Sequence, residues 1–345
     1  MRYAWKWPVI AALWIGVLAI AGCSSSEDSL AMTQGRVMGT SYHAKWVSVS
    51  GVDDEKVVDA IFDALREVDD LMSTYSPDSE ISRLNQVAPG EWVSVSPPTL
   101  EVAVLSRRLW EVTGGAFDPT VGALVNLWGF GPDRRPEDLP SKADIESLRA
   151  QIGYDKVEIR KTPPGLMKDT PFKIDFSAVA KGYAVDRAAA AVERLGVHNY
   201  LIEVGGEVRV KGYKAQGKPW QLAVEAPVEN GRIPRRIIGL TNAAVATSGS
   251  YRNYFDKGNK RYSHTIDPRT GYPVEHKLVS VTVISDSVGF ADGLATGMMV
   301  LGPEQGFDLA VKHGWAVYFI IKSPDGFVDL STPAFDKVAK TGVYP

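Results

Sequence analysis

The chain of 345 residues contains a single cysteine, Cys23. That excludes disulfides within the chain, thiolate metal cages and any cysteine nucleophile elsewhere. Stability therefore rests on a core, and an apolar fraction of 45% over this length suffices for one large domain with two lobes. Positive charge is not in excess either, with 38 Lys and Arg against 41 Asp and Glu. Such a balance provides no basic footprint for nucleic acid. No Gly-x-Ser-x-Gly, Walker A or His-Glu-x-x-His pattern occurs, which sets aside three common enzyme sites. Glu203-Val204-Gly205-Gly206-Glu207 lacks the third glycine and the following helix of a dinucleotide fingerprint, and reads as a hairpin turn.

One long apolar run is present, from Trp7 to Gly22 behind Arg2 and Lys6, and it stops at Cys23. Residues 1–22 read as a signal peptide. Ile20-Ala21-Gly22-Cys23 resembles a bacterial lipobox, so cleavage before Cys23 and lipidation of its thiol are expected. A plain signal anchor is the alternative, because the run is nearly long enough to span a bilayer. The polar stretch Ser24–Ser29 has too little apolar surface to pack, and residues 23–34 are expected as a tether. Ser24 after the cysteine permits sorting to an outer membrane. The globular domain is expected over 35–345.

Asp53 or Asp54 can cap a helix in which Val57, Val58, Ile61, Leu65, Val68 and Leu71 recur at helical spacing. A loop over Ser73–Glu80 and a short turn over Ile81–Leu84 should follow. A second helix over Pro98–Val112 should stop at Gly114-Gly115. Asp118-Pro119 is expected to restart a helix, with Asp as N-cap and Pro at the first position. Residues 129–140 read as loop and 141–152 as a capped helix. Strands are expected over 156–161, 171–175, 200–204, 207–211, 220–225, 236–240, 243–247 and 278–284, broken by Gly, Pro or Asn. Helices over Val179–Leu195 and Val288–Leu301 interrupt them. Without regular alternation of strand and helix, the pattern implies an α+β fold with mixed or antiparallel sheets, not a doubly wound sheet.

Four segments carry candidate chemistry. Asp292 and Thr296 lie four apart on one helix face and can present two hard oxygens to a magnesium-like cation. The plainer reading is a dipole-favoured Asp and a Thr bonded to its own helix. Gly289, Gly293 and Gly297 weaken that helix, so a ligand or a packed element must approach its backbone closely. Asp175 precedes small residues and a helix start, where backbone groups suit a cation or phosphate and Lys181 adds positive charge; the alternative is an Asp cap and a solvated Lys. His264, before Thr265-Ile266-Asp267-Pro268, can accept a proton from a hydroxyl nucleophile, or can simply face solvent in a turn. In Gly114–Thr120, backbone groups can bond the edge of a heteroaromatic ring, with Phe117 or Tyr75 lending an apolar face. Otherwise that segment is helix punctuation.

Together, Val37-Met38-Gly39-Thr40, Ser73-Thr74-Tyr75-Ser76, Gly114–Pro119, Asp175–Asp186, His264–Pro268 and Ala291–Thr296 resemble the ApbE family of FAD:protein FMN transferases. The resemblance implies a tunnelling-fold type of α+β architecture. It also implies a bound Mg²⁺ held by the Ala178 carbonyl and the side chains of Asp292 and Thr296. By the same resemblance Met38, Tyr75, Ala116, Phe117, Asp118, Asp175, Lys181, His264 and Ile266 line the FAD site. The family often has Leu-Gly-Gly where this chain has Phe176-Ser177-Ala178, a change that a backbone ligand tolerates. The implied reaction moves FMN from FAD to a threonine or serine hydroxyl of a target protein and expels AMP. His264 is the candidate base, Asp267 a candidate assistant. Implied acceptors are periplasm-facing subunits of sodium-pumping NADH:quinone reductase or a related electron-transport complex, met by a lipoprotein on the inner membrane. FAD pyrophosphatase activity and flavin storage are the rival expectations.

Overall fold

The computed structural model describes residues 29–131, 138–228, 231, 233–250, 254–257 and 260–344. The expected signal peptide and Cys23 lie outside them. The chain begins with a hairpin, β1 (Leu30–Val37) and β2 (Thr40–Val47), then α1 (Asp54–Met72), α2 (Glu80–Gln86) and β3 (Val93–Ser94). Next come α3 (Pro97–Val112), α4 (Gly122–Leu127), α5 (Lys142–Gln151), β4 (Val157–Lys161) and β5 (Pro164–Lys168). The middle holds α6 (Ser177–Arg194), β6 (Tyr200–Val204), β7 (Glu207–Lys211), β8 (Trp220–Glu225), β9 (Pro234–Leu240) and β10 (Ala243–Gly249). Short strands β11 (Tyr254–Lys257), β12 (Lys260–Ser263), β13 (Ile266–Asp267) and β14 (Tyr272–Pro273) precede β15 (Leu278–Ser285) and α7 (Val288–His313). The chain closes with β16 (Ala316–Ser323), β17 (Gly326–Ser331) and α8 (Pro333–Thr341).

The α+β expectation holds. One antiparallel sheet runs in the order β1-β2-β6-β7-β10-β15-β16-β17. Side chains alternate along its strands, so β10, β15 and β16 feed two cores. Ala244, Ala246, Val281, Val283, Val317 and Phe319 join the large apolar cluster that also contains α1, α3, α6 and α7. Ala243, Val245, Ala316, Tyr318 and Ile320 face the other way, onto the β8–β9 hairpin and α8. On the larger side, α6 is lined with small buried residues, Ala180, Ala184, Ala188 and Ala189. Its thin surface lets it pack between α1 and α7. Asp53 caps α1 by accepting from the Glu55 amide, and Val57, Ile61, Leu65, Val68 and Met72 form its buried stripe. Among the described residues no helix is long and apolar enough to cross a membrane.

Several sequence expectations need correction. Residues 30–34, expected within the tether, are paired strand in β1. Residues 171–175 are not a strand, although Phe172 and Ile174 are buried in the alternation that suggests one. The Ile174 backbone finds its partners in the Asn85 side-chain amide, at 2.8 Å each way, and the Asp175 amide donates to the Pro119 carbonyl. Those groups are satisfied without a neighbouring strand. Asp118 does not cap a helix, because its carboxylate accepts from the Thr120 amide and hydroxyl at 2.8 and 2.6 Å and α4 starts later without a side-chain cap. Helix α7 runs past the expected end at Leu301, but it breaks there: Gly302 has φ +82° and Pro303 follows.

Candidate active site

The site is built where α6 crosses α7. Gly182 makes the crossing close: a Cβ there would stand 2.4 Å from the Val288 carbonyl oxygen and 2.9 Å from Asp292 Cβ. The Gly182 amide donates to Asp292 Oδ2 at 3.1 Å. In a helix that amide also faces the carbonyl four residues earlier, Ala178, so the Asp292 carboxylate meets α6 beside that carbonyl. One turn on, the Thr296 hydroxyl lies 3.2 Å from the Ser248 hydroxyl of β10. The close approach that the glycines of α7 require comes from packed helices. A Cβ on Gly293 would stand 2.3 Å from Leu109 and 2.9 Å from Val179, and one on Gly297 would stand 2.8 Å from Thr113.

Lys181 brings a third group. Its ammonium sits 3.4 Å from Asp292 Oδ2 and 3.3 Å from Glu207 Oε1. Both distances exceed the 2.7–2.9 Å or so of a tight charge-assisted bond, so the ammonium is shared between the two carboxylates. The Asp292 and Glu207 side chains are 5% and 4% exposed, whereas that of Lys181 is 28% exposed. Lys181 is therefore the member of the trio that an incoming molecule meets first. Burial drives the Asp292 carboxyl upward in pKa, against the pull of Lys181 and the Gly182 amide. Burial, then the Asp292 charge, pushes Glu207 up to about 8 despite Lys181. Burial works against the ammonium too, but Asp292 and Glu207 together outweigh it and raise Lys181.

Sequence reading assigns Glu207 no role. Glu207-Val208-Arg209-Val210-Lys211 alternates like a half-solvated strand, and nothing in the pattern marks its first charge as buried. Glu207 Oε2 has no hydrogen-bond partner. It lies against Gly205, where an added Cβ would meet it at 3.4 Å and Thr40 at 3.0 Å. The β6–β7 turn thus abuts the β1–β2 turn. In the latter, Met38 and Gly39 both have positive φ, +50° and +72°. For methionine this is an unusual conformation, held by its amide donating to Asp69 Oδ2 of α1 at 3.1 Å. Tyr75, just beyond α1, is 88% exposed.

The remaining candidates are placed differently. Ala116, Phe117 and Asp118 are buried, and Phe117 packs against α7 beside Gly293 and Gly297. The Phe117 ring is thus committed to the core. Asp175 accepts from the Ser177 amide at 2.8 Å and, through its own amide, ties the start of α6 to the 116–119 loop. Asp267, considered as a partner of His264, has both carboxylate oxygens engaged by Arg269, at 2.9 and 2.8 Å. It braces its own turn. Ile266 is buried where β13 touches α7, and His264 stands edge-on to Phe130 with ring centroids 6.3 Å apart.

Among the described residues no three His, Cys, Asp or Glu side chains form a metal-binding group. The set expected from the sequence is of another kind: one carboxylate, one hydroxyl and one carbonyl, all hard oxygens, which is the chemistry magnesium takes. The buried, unpartnered Glu207 Oε2 adds acceptor capacity that the Lys181 ammonium leaves unfilled. The residues fit such a cation.

A family model described as the ApbE family matches residues 38–319. The chain belongs to the ApbE family. Its relatives include the FAD:protein FMN transferase of Haemophilus influenzae, 41% identical over 331 residues that span 94% of this chain and 95% of that protein. The Vibrio cholerae protein of the same name is 43% identical over 92% of this chain and 95% of its own length. Solved ApbE structures agree: the flavin transferase ApbE from Vibrio cholerae superposes with a TM-score of 0.82 at 42% identity, covering 90% of this chain and 99% of that one. The apo flavinyl transferase ApbE of Pseudomonas stutzeri gives 0.84 at 39% identity, over 92% and 98%. As a member of the ApbE family the chain is an enzyme of the transferase class.

Proposed function

We propose that this ApbE-family chain transfers the FMN half of FAD to a threonine or serine hydroxyl of an acceptor protein and releases AMP. The observation that supports it most is the buried Lys181–Asp292–Glu207 cluster at the α6–α7 crossing, with Lys181 alone of the three substantially exposed. Lys181 would hold an oxygen of the FAD diphosphate. Tyr75 would offer its exposed ring to the flavin, and Met38 at the hairpin tip would border it. A divalent cation, magnesium in this reading, would be held by the Ala178 carbonyl, Asp292 and Thr296; when bound it neutralises the diphosphate and polarises the phosphorus. His264 takes the proton of the acceptor hydroxyl. The hydroxyl oxygen bonds to the FMN phosphorus, the bond from that phosphorus to the bridging oxygen breaks, and AMP leaves with the electron pair.

The expected lipid anchor at Cys23 would hold the enzyme at the periplasmic face of the membrane, the inner one in this reading. Acceptors there would be subunits of sodium-pumping NADH:quinone reductase or a related electron-transport complex. Incubating the purified protein with FAD, Mg²⁺ and an acceptor domain, then weighing the acceptor by mass spectrometry, tests the reaction. An FMN adduct with AMP is expected. AMP without adduct would turn the reading to FAD hydrolysis, and unchanged FAD would turn it to storage.

Tyr75→Ala isolates the flavin face. An aromatic pair is worth about 0.5–1.5 kcal/mol, so KM for FAD should rise roughly two- to tenfold. Because Tyr75 is 88% exposed, the melting temperature should hardly change. Steady-state kinetics that leave KM unaltered would remove Tyr75 from the flavin site.

A further inference from the structure

Glu207 is a buried carboxylate with one oxygen on Lys181 and the other without a partner, in a position to which the sequence motifs assign nothing. Its neighbour Lys181 is equidistant, within 0.1 Å, from Glu207 and from Asp292. An ammonium resting fully on Asp292, where it already meets Oδ2, would neutralise the carboxylate charge that a cation needs. An ammonium resting on Glu207 would leave the Asp292 charge to the cation and keep its own charge at the mouth of the site.

We propose that Glu207 is a positioning residue that draws Lys181 off Asp292, so that Asp292 can take a divalent cation while Lys181 stays aimed at the diphosphate. The inference rests on Asp292 as a ligand of that cation. Three features support Glu207 as the anchor. Its backbone opens β7, paired with Val204 of β6, and the next residue, Val208, pairs with both Glu203 of β6 and Val245 of β10. Its side chain is almost wholly enclosed, so it cannot swing away to solvent. Its second oxygen has room in hydrogen-bonding terms for another ammonium proton once Lys181 leaves Asp292.

The test is a double-mutant cycle read by binding of Mn²⁺, measured calorimetrically on the full chain without FAD. Measured above pH 8, where Glu207 is mostly ionised, Glu207→Gln keeps the shape and removes the charge, and Mn²⁺ affinity should fall about tenfold because Lys181 then settles on Asp292. Lys181→Met alone should strengthen Mn²⁺ binding about two- to threefold, by removing a shared competitor. In the Glu207→Gln background the same Lys181→Met change should strengthen binding at least about tenfold, returning it to near the wild-type value. The effects are thus non-additive, whereas a mere through-space field would give additive ones and a purely structural defect would not be rescued. Additivity, or unchanged affinity in Glu207→Gln, would overturn the inference. Asp292→Asn serves to separate the two readings: Mn²⁺ binding as tight as wild type there would overturn the ligand assignment, and the inference with it.

Discussion

Replacing Asp292 by Asn should lower the rate of FMN transfer at least about a thousandfold and leave the protein folded. Asn keeps the volume and an acceptor for the Gly182 amide at 3.1 Å. Lys181 retains Glu207 at 3.3 Å, so no ammonium is stranded. What is lost is the single buried negative charge through which α7 would hold the cation. A metal acting on a phosphoryl oxygen contributes several kcal/mol to the transition state, and about 4 kcal/mol corresponds to the stated factor. Initial rates of adduct formation, with a thermal melt on the same sample, decide the matter. A variant that melts normally and transfers at the wild-type rate would remove Asp292 from the chemistry.

Gly182→Ala should be the most damaging single-methyl change at the site. The new Cβ would stand 2.4 and 2.7 Å from the Val288 carbonyl oxygen and carbon, which are backbone atoms and cannot rotate away. Nor can the start of α7 shift freely: Asp186 holds it by accepting from the Ser287 hydroxyl at 2.8 Å and the Gly289 amide at 3.0 Å. Overpacking of this kind costs about 1–3 kcal/mol, and the upper end is expected here. At about 2–4 °C per kcal/mol for a large domain, the melting temperature should fall by roughly 6–12 °C. Activity should fall as well, since the same displacement moves Asp292. Gly122→Ala, where an added Cβ meets nothing within 4 Å, should leave both nearly unchanged. A neutral Gly182→Ala would mean that the α6–α7 crossing is looser than the site requires.

The parts of the fold that could be read in advance are those with local punctuation. The β6–β7 hairpin is bounded as expected because Gly205 and Gly206 take the positive φ its turn needs. Ser141 and Asp53 cap their helices at the expected places. Hidden features depend on distant partners. Strand β1 pairs with β2, yet its burial alternates only between exposed and half-buried for most of its length, so its sequence resembles a polar tether. Residues 171–175 carry strand-like alternation, but a single side-chain amide, Asn85, satisfies the backbone that a strand would otherwise pair. At the site, Asp292 and Lys181 stand out by motif and spacing, and their meeting does not, because residues 111 apart are joined by tertiary packing. Glu207 was invisible for the same reason. Its burial is set by Thr40, Gly205 and Lys181, from other parts of the chain.

Crystals soaked with Mn²⁺ and FAD, measured at a wavelength where manganese scatters anomalously, would look at the cation directly. One peak is predicted at about 2.0–2.3 Å from an Asp292 carboxylate oxygen, with the Ala178 carbonyl and Thr296 hydroxyl also in reach and Lys181 turned to Glu207. A peak elsewhere on the protein, with Lys181 still bridging Asp292 and Glu207 beside bound FAD, would contradict a cation at the α6–α7 crossing.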